Sequence, residues 1–142
     1  MKIKSIYIIG ALKNWNVIKL GNDLRKAGFD AFDSWIAPGP LADSYWRDYT
    51  RRRGMNYKAA LQDWSAEHVF EFDKHHLDRC DAAVLLMPAG KSACLELGYV
   101  VGRGKKGYVL FDKEPKRYDL MFKLATDIFF DQKDLVKALK AA

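Results

Sequence analysis

The stretch Asp81-Ala82-Ala83-Val84-Leu85-Leu86-Met87 constrains the fold more than any other. An apolar run this short and continuous fits a strand covered on both faces. Four further segments read the same way. Lys4–Ile9 carries Ile6-Tyr7-Ile8-Ile9, and Phe29–Phe32, Gly107–Phe111 and Asp127–Phe130 follow it. Helical spacing fills the intervals. Val17, Leu20, Leu24 and Ala27 recur in steps of three and four, and Gly28 ends that helix. Ala42–Arg53, a long Lys58–Arg79, Ser92–Val101, Tyr118–Leu124 and Asp131–Ala141 complete the helical set.

Strands alternating with helices predict an α/β fold. The expected form is a flavodoxin-like, Rossmann-like three-layer sandwich with a five-stranded parallel sheet of order 2-1-3-4-5. With 142 residues the chain suits one domain, residues 1–142. In such sheets ligands bind where the strand order reverses. Here that lies between the first and third strands, at the loops Gly10–Asn14 and Pro88–Ser92.

Several classes are excluded by composition. No apolar run approaches the roughly 20 residues of a membrane span. The start, Met1-Lys2-Ile3-Lys4, leads to no small-residue cleavage site, so no signal peptide is expected. Two cysteines, Cys80 and Cys94, cannot make a disulfide scaffold. His68, His75 and His76 lack zinc-ligand spacing, so neither metal nor cofactor is expected. A cytoplasmic, reduced protein fits these features. The 24 Lys and Arg against 18 Asp and Glu leave a net charge of +6, which favours an anionic partner. The charge is dispersed and no nucleic-acid motif is present, which argues against nucleic acid.

Two carboxylates stand out. Glu96 falls near the start of a helix among Ala93, Leu95, Leu97 and Val100. There the dipole would favour its ionised form, as a nucleophile or as partner to a sugar cation. The alternative is an exposed carboxylate that only complements the dipole. Asp73 falls on an apolar stripe of Ala66, Val69, Phe70, Leu77 and Cys80. It is either functional or ion-paired, with Lys74, His76 or Lys13 as partners. Tyr7 closes the first strand near the ligand edge, as a site residue or a core aromatic. Gly10 lets the backbone approach something closely. Gly90 permits a tight turn, Ser92 would cap the following helix, and its free amides would suit an anion. Arg51-Arg52-Arg53 reads as a solvated helix end.

The segment Phe70–Phe111 resembles the nucleoside 2-deoxyribosyltransferase family, including its nucleotide N-glycosidase branch. Asp73, Asp81 opening a strand, and Leu95-Glu96-Leu97-Gly98-Tyr99 carry the likeness, and Tyr7-Ile8-Ile9-Gly10-Ala11 extends it. The resemblance implies that Glu96 attacks the anomeric carbon and forms a covalent sugar–enzyme intermediate. Asp73 would protonate the base, and Tyr7 would position the nucleophile. Gly10, Ala11, Lys13, Asp33, Gly90, Lys91, Ser92 and Asp127 would contact substrate. A nucleoside or nucleotide and a free base are the implied partners. The family works as homodimers or larger homo-oligomers, in which a neighbour's late segment completes the pocket; Asp127 aligns with it.

Two departures keep transferase and hydrolase both open. The loop Ala89-Gly90-Lys91-Ser92 lacks the acidic residue of the transferases and, with Lys13, suggests a 5′-phosphate site. Ala11 stands where the N-glycosidase branch has a hydroxyl residue. Ser92–Leu97 is also similar to the catalytic segment of Toll/interleukin-receptor-type domains, which implies cleavage of a nicotinamide dinucleotide. A non-catalytic nucleotide-binding module is the remaining alternative.

Overall fold

The computed structural model describes residues 2–142. Five strands form one sheet: β1 Ser5–Ile9, β2 Asp30–Phe32, β3 Ala82–Leu86, β4 Lys106–Leu110 and β5 Asp127–Phe129. All pair in parallel, in the order β2-β1-β3-β4-β5. The expected topology is therefore present. The helices are α1 Asn16–Lys26, α2 Ala42–Arg52, α3 Tyr57–Leu61, α4 Trp64–Arg79, α5 Lys91–Gly102 and α6 Gln132–Ala141.

Alternation along each strand divides the core in two. Ile6, Ile8 and Val84 face α1 and α6, against Val17, Leu20, Leu135 and Leu139. Tyr7, Ile9, Ala83, Leu85 and Val109 face the other way, against Leu77 of α4 and Leu97 and Val100 of α5. Helices cover both faces, and where β1 runs past the short β2 the Ile8 carbonyl accepts from the Trp35 indole at 2.7 Å instead.

The structure corrects several details. The long helix expected over Lys58–Arg79 is two helices. Asp63 breaks it by accepting from the Ser65 amide at 3.2 Å and the Ser65 hydroxyl at 2.7 Å, an N-cap at the start of α4. The expected helix at Tyr118–Leu124 is a tighter 3₁₀ turn over Leu120–Leu124. Val69 and Phe70, read as part of a buried stripe, are exposed; Leu77 is the buried residue of α4.

Glycines set two close approaches. A Cβ on Gly10 would stand 2.7 Å from Val17 Cγ2, so the close neighbour at Gly10 is α1. A Cβ on Gly107 would stand 2.7 Å from Val101 Cγ2 and 2.8 Å from Leu97 Cδ1. Gly107 thus lets α5 settle directly onto β4. Gly107→Ala should push α5 outward and cost about 1–3 kcal/mol, seen as a lowered urea midpoint. An unchanged midpoint would contradict the close packing.

Candidate active site

The loops after β1 and β3 lie side by side because those strands are parallel neighbours. Tyr7 sits mid-strand in β1, in register with Phe32 and Ala83, rather than closing it. Its ring, 1% exposed, packs 5.1 Å from that of Phe32 and projects toward α4 and α5. Ala83 beside it and Gly107 beyond keep this face of the sheet low.

Glu96 is the sixth residue of α5, in its second turn. It flanks Ala93, Leu97 and Val100, which are buried on the sheet side. Leu95 points the other way and is 75% exposed, contrary to the apolar helix face expected for it. Helix-dipole effects fade after the first turn, so burial governs Glu96 instead. Its carboxyl is pushed up to about 7 by burial, opposed by a hydrogen bond from the Tyr7 hydroxyl, and raised further by Asp73. The expected dipole-stabilised carboxylate is therefore replaced by one balanced between two protonation states near neutrality. The Tyr7 hydroxyl is held far above its ordinary value by burial and by the charges of Glu96 and Asp73, so it stays a donor.

Asp73 completes the cluster from α4. Burial, and the charge of Asp43 at the start of α2, push it up to about 6. None of the expected cations pairs with it. Lys74 turns to Asp78 at 2.9 Å, and His76 stacks on Phe32 with centroids 3.8 Å apart. Three acidic side chains and one phenol thus meet without a neutralising cation among the described residues. Such an arrangement is costly for folding and typical of a chemical site.

The two helices that carry the carboxylates are tied at their base. Asp78 of α4 accepts from the Tyr99 hydroxyl of α5 and from Lys74, and lies 3.8 Å from Arg103. Those partners hold Asp78 down to about 2. Asp81 accepts the Lys4 and Ser5 amides at 2.9 and 3.0 Å and joins β3 to β1. Both aspartates are structural.

The other sequence-selected residues divide. Gly90 is the N-cap of α5, with an ordinary φ of −100° and no side-chain cap. Ser92 is one residue inside the helix rather than its cap, so its hydroxyl is not spent on the helix end. Lys13, Lys91 and Ser92 are exposed around the ligand edge, and Ala11 is half-buried there. Asp33 instead turns to the α1 face. It pairs with Arg25 at 2.6 Å, and its second oxygen packs against Gly21. Asp127 lies on the edge strand β5, three strand positions from Tyr7 or about 14 Å within one chain. Asp43 was missed by sequence reading, since an acidic residue at a helix start is ordinary.

No family model and no curated protein matches the chain. Solved structures do. The 2-deoxyribosyltransferase of Bacillus psychrosaccharolyticus superposes with a TM-score of 0.63 at 17% identity, over 95% of each chain. The CMP N-glycosidase BcmB of Clostridium botulinum superposes with a TM-score of 0.51 at 15% identity, over 96% of this chain and 98% of its own. The chain has the fold of both. At these identities the likeness establishes architecture alone.

The raised Glu96 carboxyl has a consequence for stability. Its folded value of about 7 exceeds its ordinary 4.5, so its contribution is fully present below 4.5 and is lost as pH rises through 7. Glu96→Gln should stabilise the protein at pH 8 by about 2–3 kcal/mol, with the gain vanishing below pH 4.5. Urea unfolding at the two pH values checks this. Equal differences at both would exclude a buried, proton-linked carboxyl.

Proposed function

We propose that the chain cleaves the N-glycosidic bond of a nucleoside or nucleotide and passes the sugar to a second base. The observation that supports this most is the Tyr7–Glu96–Asp73 cluster between the sheet, α4 and α5, with the phenol buried and both carboxyls half-buried. Two carboxyl groups held near neutrality suit a nucleophile and an acid working on one bond.

In the first step the Glu96 carboxylate attacks the anomeric carbon, and a bond forms between its oxygen and that carbon. The bond to the base nitrogen breaks, and its electron pair leaves with the base. Asp73 delivers its proton to the base, which is a poor leaving group as an anion. Tyr7, whose hydroxyl favours the ionised form of Glu96, orients the nucleophile in this reading. In the second step Asp73 takes a proton from the incoming base, whose nitrogen attacks the anomeric carbon and releases Glu96. No metal or cofactor enters these steps.

Hydrolysis is the second reading, with water in place of the second base. The uncapped start of α5, with Lys91 and Ser92 in place of an acidic residue, favours it. Gly10, Ala11, Lys13 and Gly90 line the same edge as expected substrate contacts. The apolar surface of α4, with Trp64, Phe70 and Phe72 exposed, supports a homo-oligomer. Across such an interface Asp127 of one copy could serve its neighbour's site; within its own chain it does not approach Tyr7.

Glu96→Ala should lower base release from a deoxynucleoside or its 5′-monophosphate by at least about 1,000-fold, with a folded protein by circular dichroism. Retained release would refute the role of Glu96. New nucleoside appearing only when a second base is added identifies transfer, and release without it identifies hydrolysis.

The productive state has Glu96 ionised and Asp73 protonated, so kcat/KM should be bell-shaped with its maximum between pH 6 and 7. Asp73→Asn should remove the alkaline limb. Tyr7→Phe should lower the rate about tenfold and move the optimum upward, because the lost hydrogen bond favoured ionised Glu96. An unshifted profile in both variants would dissociate these residues from the reaction.

A further inference from the structure

A cavity of about 500 Å³ is bounded by α2, α3 and the start of α5, and meets the carboxylate cluster through Asp43. Asp43, Arg47 and Arg51 line it from α2, and Ser92 lines it from α5. The three α2 residues are spaced by four and form one stripe along the helix. Asp43 is the residue whose charge reaches Asp73. At the rise of an α-helix, Arg47 lies about 6 Å and Arg51 about 12 Å farther along the axis. The wall therefore changes from acidic beside the reacting groups to basic within the length of a small molecule.

Neither arginine is firmly neutralised. Arg47 meets only the Ser44 hydroxyl, at 3.5 Å, and pairs with no carboxylate among the described residues. Arg51 meets Asp48 at 3.4 Å with both side chains largely in solvent, a pair of little strength. Arg53 makes the contrast. It lies outside the cavity lining and is bound by Asp63 at 3.1 Å and the Tyr49 hydroxyl at 3.0 Å. From α5, a helix start without a side-chain cap leaves its first amides unsatisfied by the protein. Trp46, Asn56 and Tyr57 add aromatic and amide surface.

We propose that this cavity is an anion subsite, in which Arg47, Arg51 and the start of α5 at Ser92 hold a negatively charged group of the substrate. The group is a phosphate or a carboxylate. It comes from a 5′-phosphate on the sugar or from an acidic substituent on the base. The substrate's identity rests on the N-glycosidic reading above, but the anion subsite does not. Arg47 and Arg51 take the place that charge alone suggested for Lys13 and Lys91.

Calorimetric titration of the Glu96→Gln protein tests this without turnover. The probes are uridine and 2′-deoxyuridine, their 5′-monophosphates, and orotidine, which carries a carboxylate on its base. An anionic probe should bind about 10- to 100-fold tighter than its neutral parent. Preference for the monophosphates assigns the subsite to the 5′-phosphate, and preference for orotidine assigns it to the base. Adding Arg47→Ala and Arg51→Ala should erase that preference. The proposal is overturned if anionic probes show no advantage. It is equally overturned if the advantage survives the double arginine variant and is lost with Lys13→Ala and Lys91→Ala. A wild-type protein that cleaves none of the probes yet shows arginine-dependent anion binding would sink the N-glycosidic reading alone. Cleavage of neutral and anionic probes without preference would sink the subsite alone.

Discussion

The seating of α5 on the sheet is the contact on which the site depends. Gly107 removes the side chain that would hold the helix off, and Leu97 and Val101 fill the space it leaves. Ala83, in register with Gly107, keeps the neighbouring strand equally low. Glu96 precedes Leu97 directly, so it is carried down to the level of Tyr7. There its carboxyl is half-buried and meets a phenol that stays protonated. A helix seated higher would leave Glu96 in solvent with an ordinary affinity for protons.

The electrostatics follow from that depth. Burial raises both Glu96 and Asp73; the charge of Asp73 raises Glu96 further, and that of Asp43 raises Asp73. The site stores unfavourable energy when fully ionised, which a developing sugar cation would relieve. The cationic surplus of the chain does not enter this cluster. Several cations are held in pairs elsewhere: Arg25 with Asp33, Arg53 with Asp63, Arg79 with Asp30. Arg47 is among the few cations that face the reacting region without a carboxylate of their own.

Sequence reading reached the sheet and its order because the apolar runs at Ile6–Ile9 and Ala82–Leu86 are continuous, and only a doubly covered strand accounts for them. It singled out Tyr7, Asp73 and Glu96 because each is a polar group within an apolar stretch of sequence, and the structure brings the three together. It misjudged what surrounds them. Leu95 looked buried because Leu97 is, yet two residues turn a helix through about 200°. Asp33, a substrate contact by resemblance, is paired with Arg25 of α1 instead. Asp63 broke a helix that its neighbours' periodicity continued, since a single cap outweighs a weak stripe. Asp43 and Arg47 gave no local signal. Their meaning comes from α2 sharing a cavity with the start of α5, a relation between elements distant in the chain.

Asp78 separates the frame of the site from its chemistry. It links α4 to α5 below Asp73 and Glu96, and its partners hold it ionised down to about pH 2. The groups above it exchange protons near 6 and 7. The clamp is therefore fully charged across the whole range in which the reacting pair changes state. The tie between the two helices keeps its charge while the charge above it varies, so a change in acidity alters the cluster and leaves its frame in place.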